Sequence, residues 1–321
     1  MSLLDKEYDV LVVGAGVAGV HAAYAAALKQ AEVLLLTSSW DTVATLAWGP
    51  SWQSANLKKQ RPLPGFAGKA LAKSLIYQGQ RGEGLLTLTD SFKYQGAWKH
   101  HLERMAGVTV FQDTCEALEA DKRGWTALTS WGASLKAKTA MLAIGPFLQE
   151  RAKTGEATRL EGRPGETGAE RLIESIASLG IGVSEDECRA APTVAAHSIN
   201  WDLVRKGAAG KSAGPVGVVY WTKAAGRGRI ELAPTSVAGD QIYLQGWKNQ
   251  PLQDIAGLEK AHTTRPAFSV KYLTVSRQVM DREHMRGLFF AGRLAGAKSY
   301  GESAEQGLRA GAAAANVSRE T

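Results

Sequence analysis

The sequence predicts an α/β protein whose main domain is built on a doubly wound parallel sheet. Residues 9–13 form a short apolar run, and the glycine run Gly14-x-Gly16-x-x-Gly19 follows them directly. An alanine-rich stretch over residues 20–28 has the composition of a buried helix, and residues 32–37 form a second apolar run. A strand, a glycine turn, a helix and a second strand in this order are typical of the βαβ unit that begins such sheets.

Further patterns predict the remaining elements and divide the chain. We expect helices over 90–105, 169–179 and 302–316, a strand over 108–112, a hairpin over 125–138, and separate strands over 139–145 and 288–292. Apolar and polar residues alternate over 230–233 and 241–245, which predicts antiparallel strands there. The composition becomes polar and glycine-rich after about residue 147, which indicates a boundary. We therefore expect residues 1–150 and 275–321 to form the main domain and residues 151–274 to form an inserted, smaller α+β lobe. The acid-free, glycine-rich stretch 203–230 is predicted to contain a flexible loop.

Composition narrows the class of protein. With 45% hydrophobic and 21% charged residues in 321, the chain can bury a sizeable core, which excludes global disorder. A formal net charge of +7 permits an anionic ligand without requiring one. Two cysteines cannot form a disulfide framework or a four-ligand zinc site. We expect a soluble cytoplasmic protein without a metal site, and the sequence predicts no oligomeric state.

The segment 10–28 has no charged side chain, but its glycines favour a buried strand and helix over a membrane span. Gly14 permits a tight turn, Gly16 lets a pyrophosphate approach the backbone, and Gly19 lets the helix close on the sheet. Ala15, Val17 and Ala18 complete the turn, so the free N–H groups of the helix would meet the phosphates. The alternative is a purely structural turn, but the strand before the motif and the helix after it favour a dinucleotide site.

One expected partner of that motif is missing. Dinucleotide sites usually carry an acid at the end of the second strand, where it binds a ribose hydroxyl. Here Thr37 and Ser38 occupy that end, and a hydroxyl contact from either would be a weaker substitute. This departure counts against a plain NAD-dependent dehydrogenase.

A second constellation lies near the other end of the sequence. An apolar run ends at Gly292 and Arg293, and a loop then leads to a predicted helix that begins near Tyr300, Glu302 and Ser303. A helix N-terminus beside the pyrimidine edge of a flavin would stabilise the negative charge of the reduced ring. Together with the first motif, this arrangement favours a flavin dinucleotide. Arg293 would contact a phosphate or face water, and Glu302 would act as an acid/base group or as an ordinary partner of the helix dipole.

These segments resemble the MnmG (glucose-inhibited division protein A) flavoproteins, a group that also includes the folate-dependent tRNA methyltransferase TrmFO. The matching runs are residues 8–23, 34–42, 144–148, 265–269, 288–292 and 301–304. The resemblance implies FAD in a glutathione-reductase-like Rossmann domain, with Ile144 and Gly145 at the cofactor and Cys115 where the family's backbone pairs with the adenine. It also implies NADH or NADPH as a reductant of the flavin.

The departures from this group concern its chemistry. Where its tRNA-modifying members carry a catalytic cysteine, this chain has Trp48, and a second family cysteine also lacks a counterpart. Cys188 lies among acids that would raise its pKa, which makes it a poor nucleophile. The group's C-terminal helical domain, which binds tRNA, has no counterpart in the sequence.

The sequence therefore predicts an FAD-dependent oxidoreductase that passes a hydride through the flavin to an unidentified acceptor, with no catalytic residue assigned. Two alternatives stay open: a tRNA uridine-modifying flavoenzyme, and a non-enzymatic FAD- or RNA-binding module. The basic segment 42–82, which contains no acid, would either track nucleic acid or cover the flavin and neutralise its pyrophosphate. The basic segment 203–230 leaves the same choice open.

Overall fold

A computed structural model describes residues 6–52, 63–81, 84–145, 151–154, 157–160, 170–207, 211–214, 217–224, 228–249, 251–275 and 287–320. The described residues form six α-helices: α1 (Val17–Leu28), α2 (Gly65–Lys73), α3 (Ser91–Leu102), α4 (Glu170–Ser178), α5 (Trp201–Gly207) and α6 (Tyr300–Val317). They also form the following strands: β1 (Glu7–Val13), β2 (Val33–Thr37), β3 (Leu75–Arg81), β4 (Gly84–Thr89), β5 (Val108–Gln112), β6 (Cys115–Ala120), β7 (Trp125–Thr129), β8 (Ser134–Leu142), β9 (Arg151–Thr154), β10 (Ala157–Leu160), β11 (Val183–Ala190), β12 (Thr193–Ala195), β13 (Lys211–Gly214), β14 (Gly217–Ala224), β15 (Gly228–Pro234), β16 (Gln241–Gln245), β17 (Thr263–Arg265), β18 (Phe268–Val275) and β19 (Leu288–Phe290).

The main sheet has the strand order β5-β2-β1-β8-β7-β6, and β19 pairs with β8. Strands β5, β2, β1, β8 and β19 run parallel, while β7 and β6 extend the sheet in antiparallel fashion. All five residues of β2 are buried, as expected for a central parallel strand covered on both faces. This topology confirms the predicted α/β fold built on a parallel sheet.

One predicted boundary in this sheet is wrong. The hairpin over 125–138 and the strand over 139–145 were expected to be separate, but β8 is one continuous strand. Its first half pairs with β7, and residues 140–142 pair with β19. A strand can be divided in this way between two partners at one of its edges, and the local pattern does not reveal it.

Helices α1 and α6 cover one face of the main sheet and pack closely on each other. A Cβ atom at Gly307 or Gly311 of α6 would overlap the backbone carbonyl oxygens of Ala18 and Ala22 in α1. The small residues of both helices therefore allow their backbones to approach. This packing brings together two helices that are distant in the chain. It places the N-termini of both near the carboxyl ends of the parallel strands.

The remaining strands form three antiparallel sheets: a four-stranded sheet ordered β10-β9-β18-β11, a six-stranded sheet ordered β13-β14-β15-β16-β12-β17, and the hairpin β3-β4. The buried residues Ile76, Tyr77 and Leu88 of the hairpin share a core with Leu232 and Leu244 of the six-stranded sheet. The predicted domain boundaries at residues 150 and 275 stay a prediction.

The stretch 203–230 was predicted to contain a flexible loop, and its described residues also form regular elements, whereas residues 208–210, 215–216 and 225–227 lie outside the described residues. That stretch contributes to α5, and it contains β13 and β14 and the start of β15. Strand β14 pairs with β15 over five residue pairs, from Tyr220 opposite Leu232 to Ala224 opposite Gly228. Glycine content does not show this, because pairing between consecutive strands supplies the backbone hydrogen bonds of these residues.

Candidate functional site

The glycine turn between β1 and α1 has a different steric requirement at each glycine. Gly14 has a φ of 97°, and a Cβ there would lie 2.6 Å from the carbonyl oxygen of Ala143. A Cβ at Gly19 would overlap the carbonyl oxygen of Gly14. In contrast, a Cβ at Gly16 would meet no atom within 4 Å. Gly14 and Gly19 are therefore required by the fold, whereas the space in front of Gly16 is open.

The N-terminus of α1 opens onto that space. Its N-cap residue is Gly16, no side chain caps the helix, and no acidic residue lies in its first turn. The first N–H groups of a helix lack intrahelical partners and carry a partial positive charge. An uncapped N-terminus beside an open glycine is a favourable place for a phosphate group.

The N-terminus of α6 lies at the same cavity but is capped. The hydroxyl of Ser299 accepts a hydrogen bond from the Glu302 N–H at 3.2 Å, and a carboxylate oxygen of Glu302 accepts one from the Lys298 N–H at 2.7 Å. The Ser303 hydroxyl donates to the Ser299 carbonyl at 2.9 Å. Glu302 thus takes part in helix capping, which is the less specific of its two predicted roles.

Both helix N-termini line one cavity of about 200 Å³. The described residues that line it come from α1, the turns after β2, β8 and β19, the start of α6, and β16: Gly16, Val17, Ala18, Thr45, Ala47, Trp48, Ser51, Ala143, Gly145, Tyr243, Gln245, Gly292, Arg293, Lys298, Ser299, Tyr300 and Ser303. These lining residues include two cationic side chains and no carboxylate, so the cavity is suited to an anionic ligand.

The predicted site residues fall into two groups around this cavity. Those that line it are Gly16, Val17, Ala18, Gly145, Gly292, Arg293, Tyr300 and Ser303. Those that do not are Gly14, Ala15, Gly19, Thr37, Ser38, Cys115, Ile144 and Glu302. Of the second group, Ala15 is buried and its carbonyl accepts a hydrogen bond from the Ala44 N–H at 2.8 Å. In the first group, the backbone N–H of Gly292 donates to the side-chain oxygen of Gln306 at 2.9 Å. That N–H is therefore already used within the protein.

Thr37, Ser38 and Cys115 lie at the ends of β2 and β6. The buried Thr37 hydroxyl donates to the carbonyl of Ser39 at 3.2 Å, and Ser38 is exposed. Burial raises the pKa of the Cys115 thiol to about 12, so it stays protonated at neutral pH. Cys188 lies in β11 and is half-buried. Neither cysteine is among the described residues that line the cavity.

An aromatic wall closes one side of the cavity. The backbone N–H of Trp48 donates to the Tyr300 hydroxyl at 2.6 Å, and the Trp48 ring packs against Phe268 at 5.4 Å between centroids. The Arg265 guanidinium lies 5.7 Å from the ring centroids of both Tyr243 and Phe268. Burial holds the pKa of Tyr300 above its usual range, so its hydroxyl stays neutral. Trp48, placed by the resemblance where a cysteine was expected, therefore has a structural role in this wall.

Sequence reasoning missed the residues that β16 contributes. Tyr243 and Gln245 lie two positions apart and line the cavity from the six-stranded sheet. The Nε2 atom of Gln245 lies 3.4 Å from the Ser51 hydroxyl, and its Oε1 atom is buried with no hydrogen-bond partner among the described residues. Strand alternation placed both residues on one face, but no local signal showed that this face meets the cavity.

Two further results limit what the described part of the chain contains. Among these residues, no helix is both long and apolar enough to span a bilayer. No group of three or more His, Cys, Asp or Glu side chains within the described ranges is arranged to hold a metal ion. Residues 146–148 of the resembling run that begins at Ile144 lie outside the described residues, as do residues 53–62 and 82 of the basic segment 42–82.

The sequence of this chain matches one family of known proteins. The family model described as glucose inhibited division protein A matches residues 9–223 and 224–321. MnmG from Bacillus velezensis, a tRNA uridine 5-carboxymethylaminomethyl modification enzyme, is 26% identical over 384 aligned positions that cover 95% of this chain and 61% of the relative. The MnmG of Chloroflexus aurantiacus is 32% identical over 214 positions, covering 62% of this chain and 33% of that protein.

Solved structures show the same fold. GidA from Aquifex aeolicus superposes with a TM-score of 0.88 at 20% identity, covering all of this chain and 65% of that one. The GidA-related protein from Thermus thermophilus gives a TM-score of 0.56 at 18% identity, covering 95% of this chain and 97% of that one. The chain spans about three fifths of the length of the first curated relative. Because the family model matches nearly the whole sequence, the chain belongs to the glucose inhibited division protein A family.

Proposed function

We propose that this chain binds FAD in the cavity and is an FAD-dependent oxidoreductase that passes a hydride from NADH or NADPH to an acceptor. The observation that carries the proposal is the meeting of two helix N-termini, those of α1 and α6, at one cavity. The uncapped N-terminus of α1 is suited to the phosphates, and the start of α6 lies at the same cavity, where another part of a dinucleotide would bind. Family membership supports the same cofactor, as does the fold shared with CtdE, a protein solved in complex with FAD (TM-score 0.58, 11% identity).

The residues present fit this cofactor. The open space at Gly16 admits a phosphate to the uncapped N-terminus of α1. The buried Oε1 atom of Gln245 could accept a hydrogen bond from a polar ring edge. When bound, the flavin supplies two-electron redox chemistry. The chain would orient it, with the Trp48 ring, packed on Phe268, on one side of the cavity. Thr37, Ser38 and Cys115 are proposed to lie at the adenosine end.

An absorption spectrum tests this proposal directly. The purified full chain, supplied with FAD and freed of excess cofactor, should show the flavin bands, and anaerobic NADH or NADPH should bleach them. Protein that stays colourless after incubation with FAD contradicts the proposed cofactor. Bound flavin that neither nicotinamide reduces contradicts the proposed reductant and favours a binding module without enzymatic activity.

A second candidate is tRNA uridine modification, because the curated relatives carry that activity in their names. Against it, the chain has only two cysteines, and neither lies among the described residues lining the cavity. A thiolate attack on a uracil ring therefore has no evident agent. Copurifying tRNA, together with reduction of the flavin by NADH or a folate, would favour this candidate over the first.

A further inference from the structure

The short 3₁₀ helix Gly292–Ala295 brings one cationic side chain to the phosphate end of the cavity. A Cβ atom at Gly292 would lie 3.0 Å from the Cβ of Ala18, so this turn adjoins the first turn of α1. Arg293 is the next residue and lines the cavity. The other cationic lining residue, Lys298, instead precedes the capped start of α6.

One backbone donor of this turn is already used within the protein. The Gly292 N–H is engaged by the Gln306 side chain at 2.9 Å, so it is not available to a ligand. A planar guanidinium can donate two parallel hydrogen bonds to a phosphate, which a single N–H or a lysine cannot do. Arg293 can therefore donate hydrogen bonds to a phosphate, whereas the engaged Gly292 N–H cannot.

Residues of two other strands hold Arg293 in place. Its guanidinium lies 5.7 Å from the ring centroid of Tyr272 in β18, which is a cation–π distance. The Tyr272 hydroxyl donates to a carboxylate oxygen of Asp186 in β11 at 2.7 Å. Burial raises the pKa of Tyr272 to about 12, which keeps the proton on this hydroxyl. That hydrogen bond, in turn, holds the pKa of Asp186 below its usual range. The four-stranded sheet thus fixes a side chain of the cofactor cavity.

We propose that Arg293 binds the phosphates of the dinucleotide, and that Tyr272 and Asp186 are positioning residues that hold its guanidinium there. This inference rests on the proposed function, because it takes FAD as the ligand. It adds a coupling between the antiparallel four-stranded sheet and the cofactor: a movement of β18 would move the cation that neutralises the pyrophosphate.

The test compares the affinities of the cofactor-free chain for FAD and for riboflavin, which has the same ring but no phosphate. Arg293→Gln should weaken FAD binding by about tenfold to a hundredfold, the usual range for a lost charge-assisted hydrogen bond, and leave riboflavin binding unchanged. Arg293→Lys should retain part of the affinity. Arg309→Gln is the matched control, because Arg309 is an exposed cation of α6 that pairs with Glu305, and it should bind both ligands as the wild type does.

Two variants test the positioning residues. Tyr272→Phe removes the hydrogen bond to Asp186 and keeps the ring, so its FAD affinity should lie between those of the wild type and Tyr272→Leu. Riboflavin affinity serves in every case as the measure of an intact cavity. Equal loss of FAD and riboflavin affinity in Arg293→Gln, or no loss of either, would overturn the inference while leaving FAD binding in place. A wild-type chain that binds neither ligand would instead overturn the proposed function itself.

Discussion

The buried imidazole of His21 should make the stability of this protein depend strongly on pH. His21 lies in α1 with none of its surface exposed, and its Nδ1 atom donates to the carbonyl of Val17 at 2.7 Å. Its ring packs on Trp98 at 4.6 Å between centroids, and its Nε2 atom has no hydrogen-bond partner among the described residues. Burial lowers the pKa of His21 from 6.5 to about 4, although the hydrogen bond to Val17 opposes the shift.

The direction and size of the effect follow from the two pKa values. Because the folded value lies below the unfolded one, acid protonates the unfolded chain first and draws the equilibrium toward it. The contribution of His21 is fully present above about pH 6.5 and is lost progressively down to about pH 4. At 1.36 kcal/mol for each pKa unit, the whole loss is about 3 kcal/mol, of which about 2 kcal/mol falls between about pH 7 and about pH 4.5.

Urea unfolding of the wild type and His21→Phe at these two pH values measures the effect. Phenylalanine keeps an aromatic ring against Trp98 but cannot take up a proton, so the variant should lose about 2 kcal/mol less on acidification. The matched control is His197→Phe, since His197 is exposed, and it should lose as much as the wild type. Equal pH dependence of the wild type and His21→Phe would refute the reasoning, because it would mean that the buried imidazole takes up its proton as easily as the unfolded one.

Three further substitutions test the cavity and its supports. Gly16→Ala should leave the melting temperature unchanged, because its Cβ meets no atom, yet weaken FAD binding by about tenfold or more in a fluorescence titration. Gly307→Ala should cost about 1–3 kcal/mol of unfolding free energy, because its Cβ would push α6 away from α1. Its control, Gly96→Ala in open space on α3, should stabilise the protein by about 0.5–1 kcal/mol. Similar unfolding free energies for the two variants would contradict the packing. Tyr300→Phe should cost about 1–3 kcal/mol in urea unfolding, because it removes the hydroxyl that accepts a hydrogen bond from the backbone N–H of Trp48. An unchanged stability would mean that water replaces that hydroxyl.

The side of the cavity formed by the glycine turn and α1 could be predicted, because the residues that form it are adjacent in the chain. A buried run, a glycine spacing and an alanine-rich helix follow one another, and the structure places β1, the turn and α1 as that pattern predicts. The open space at Gly16 also agrees with the role expected of the second glycine. Sequence patterns are reliable here because each residue's role depends on its immediate neighbours.

The antiparallel half was predicted only in part: alternation indicated strands over 230–233 and 241–245, and β15 and β16 confirm them. The stretch 203–230 lacks acids and is rich in glycine, a composition that did not reveal the pairing of β14 with β15 within it. The division of β8 between β7 and β19 was missed for a related reason. Strand pairing depends on which segment becomes the partner of a strand, so composition alone does not report it.

The sequence by itself determined the parallel sheet, the glycine turn and the helix that presents its N-terminus, because these follow from short-range periodicity and backbone sterics. Only the tertiary structure decided which side chains complete the cavity. Gln245 arrives from β16, and Arg293 is held by Tyr272 of β18. Their roles come from the packing of antiparallel sheets against the parallel one, and a contact between distant segments leaves no mark in the residues on either side of it.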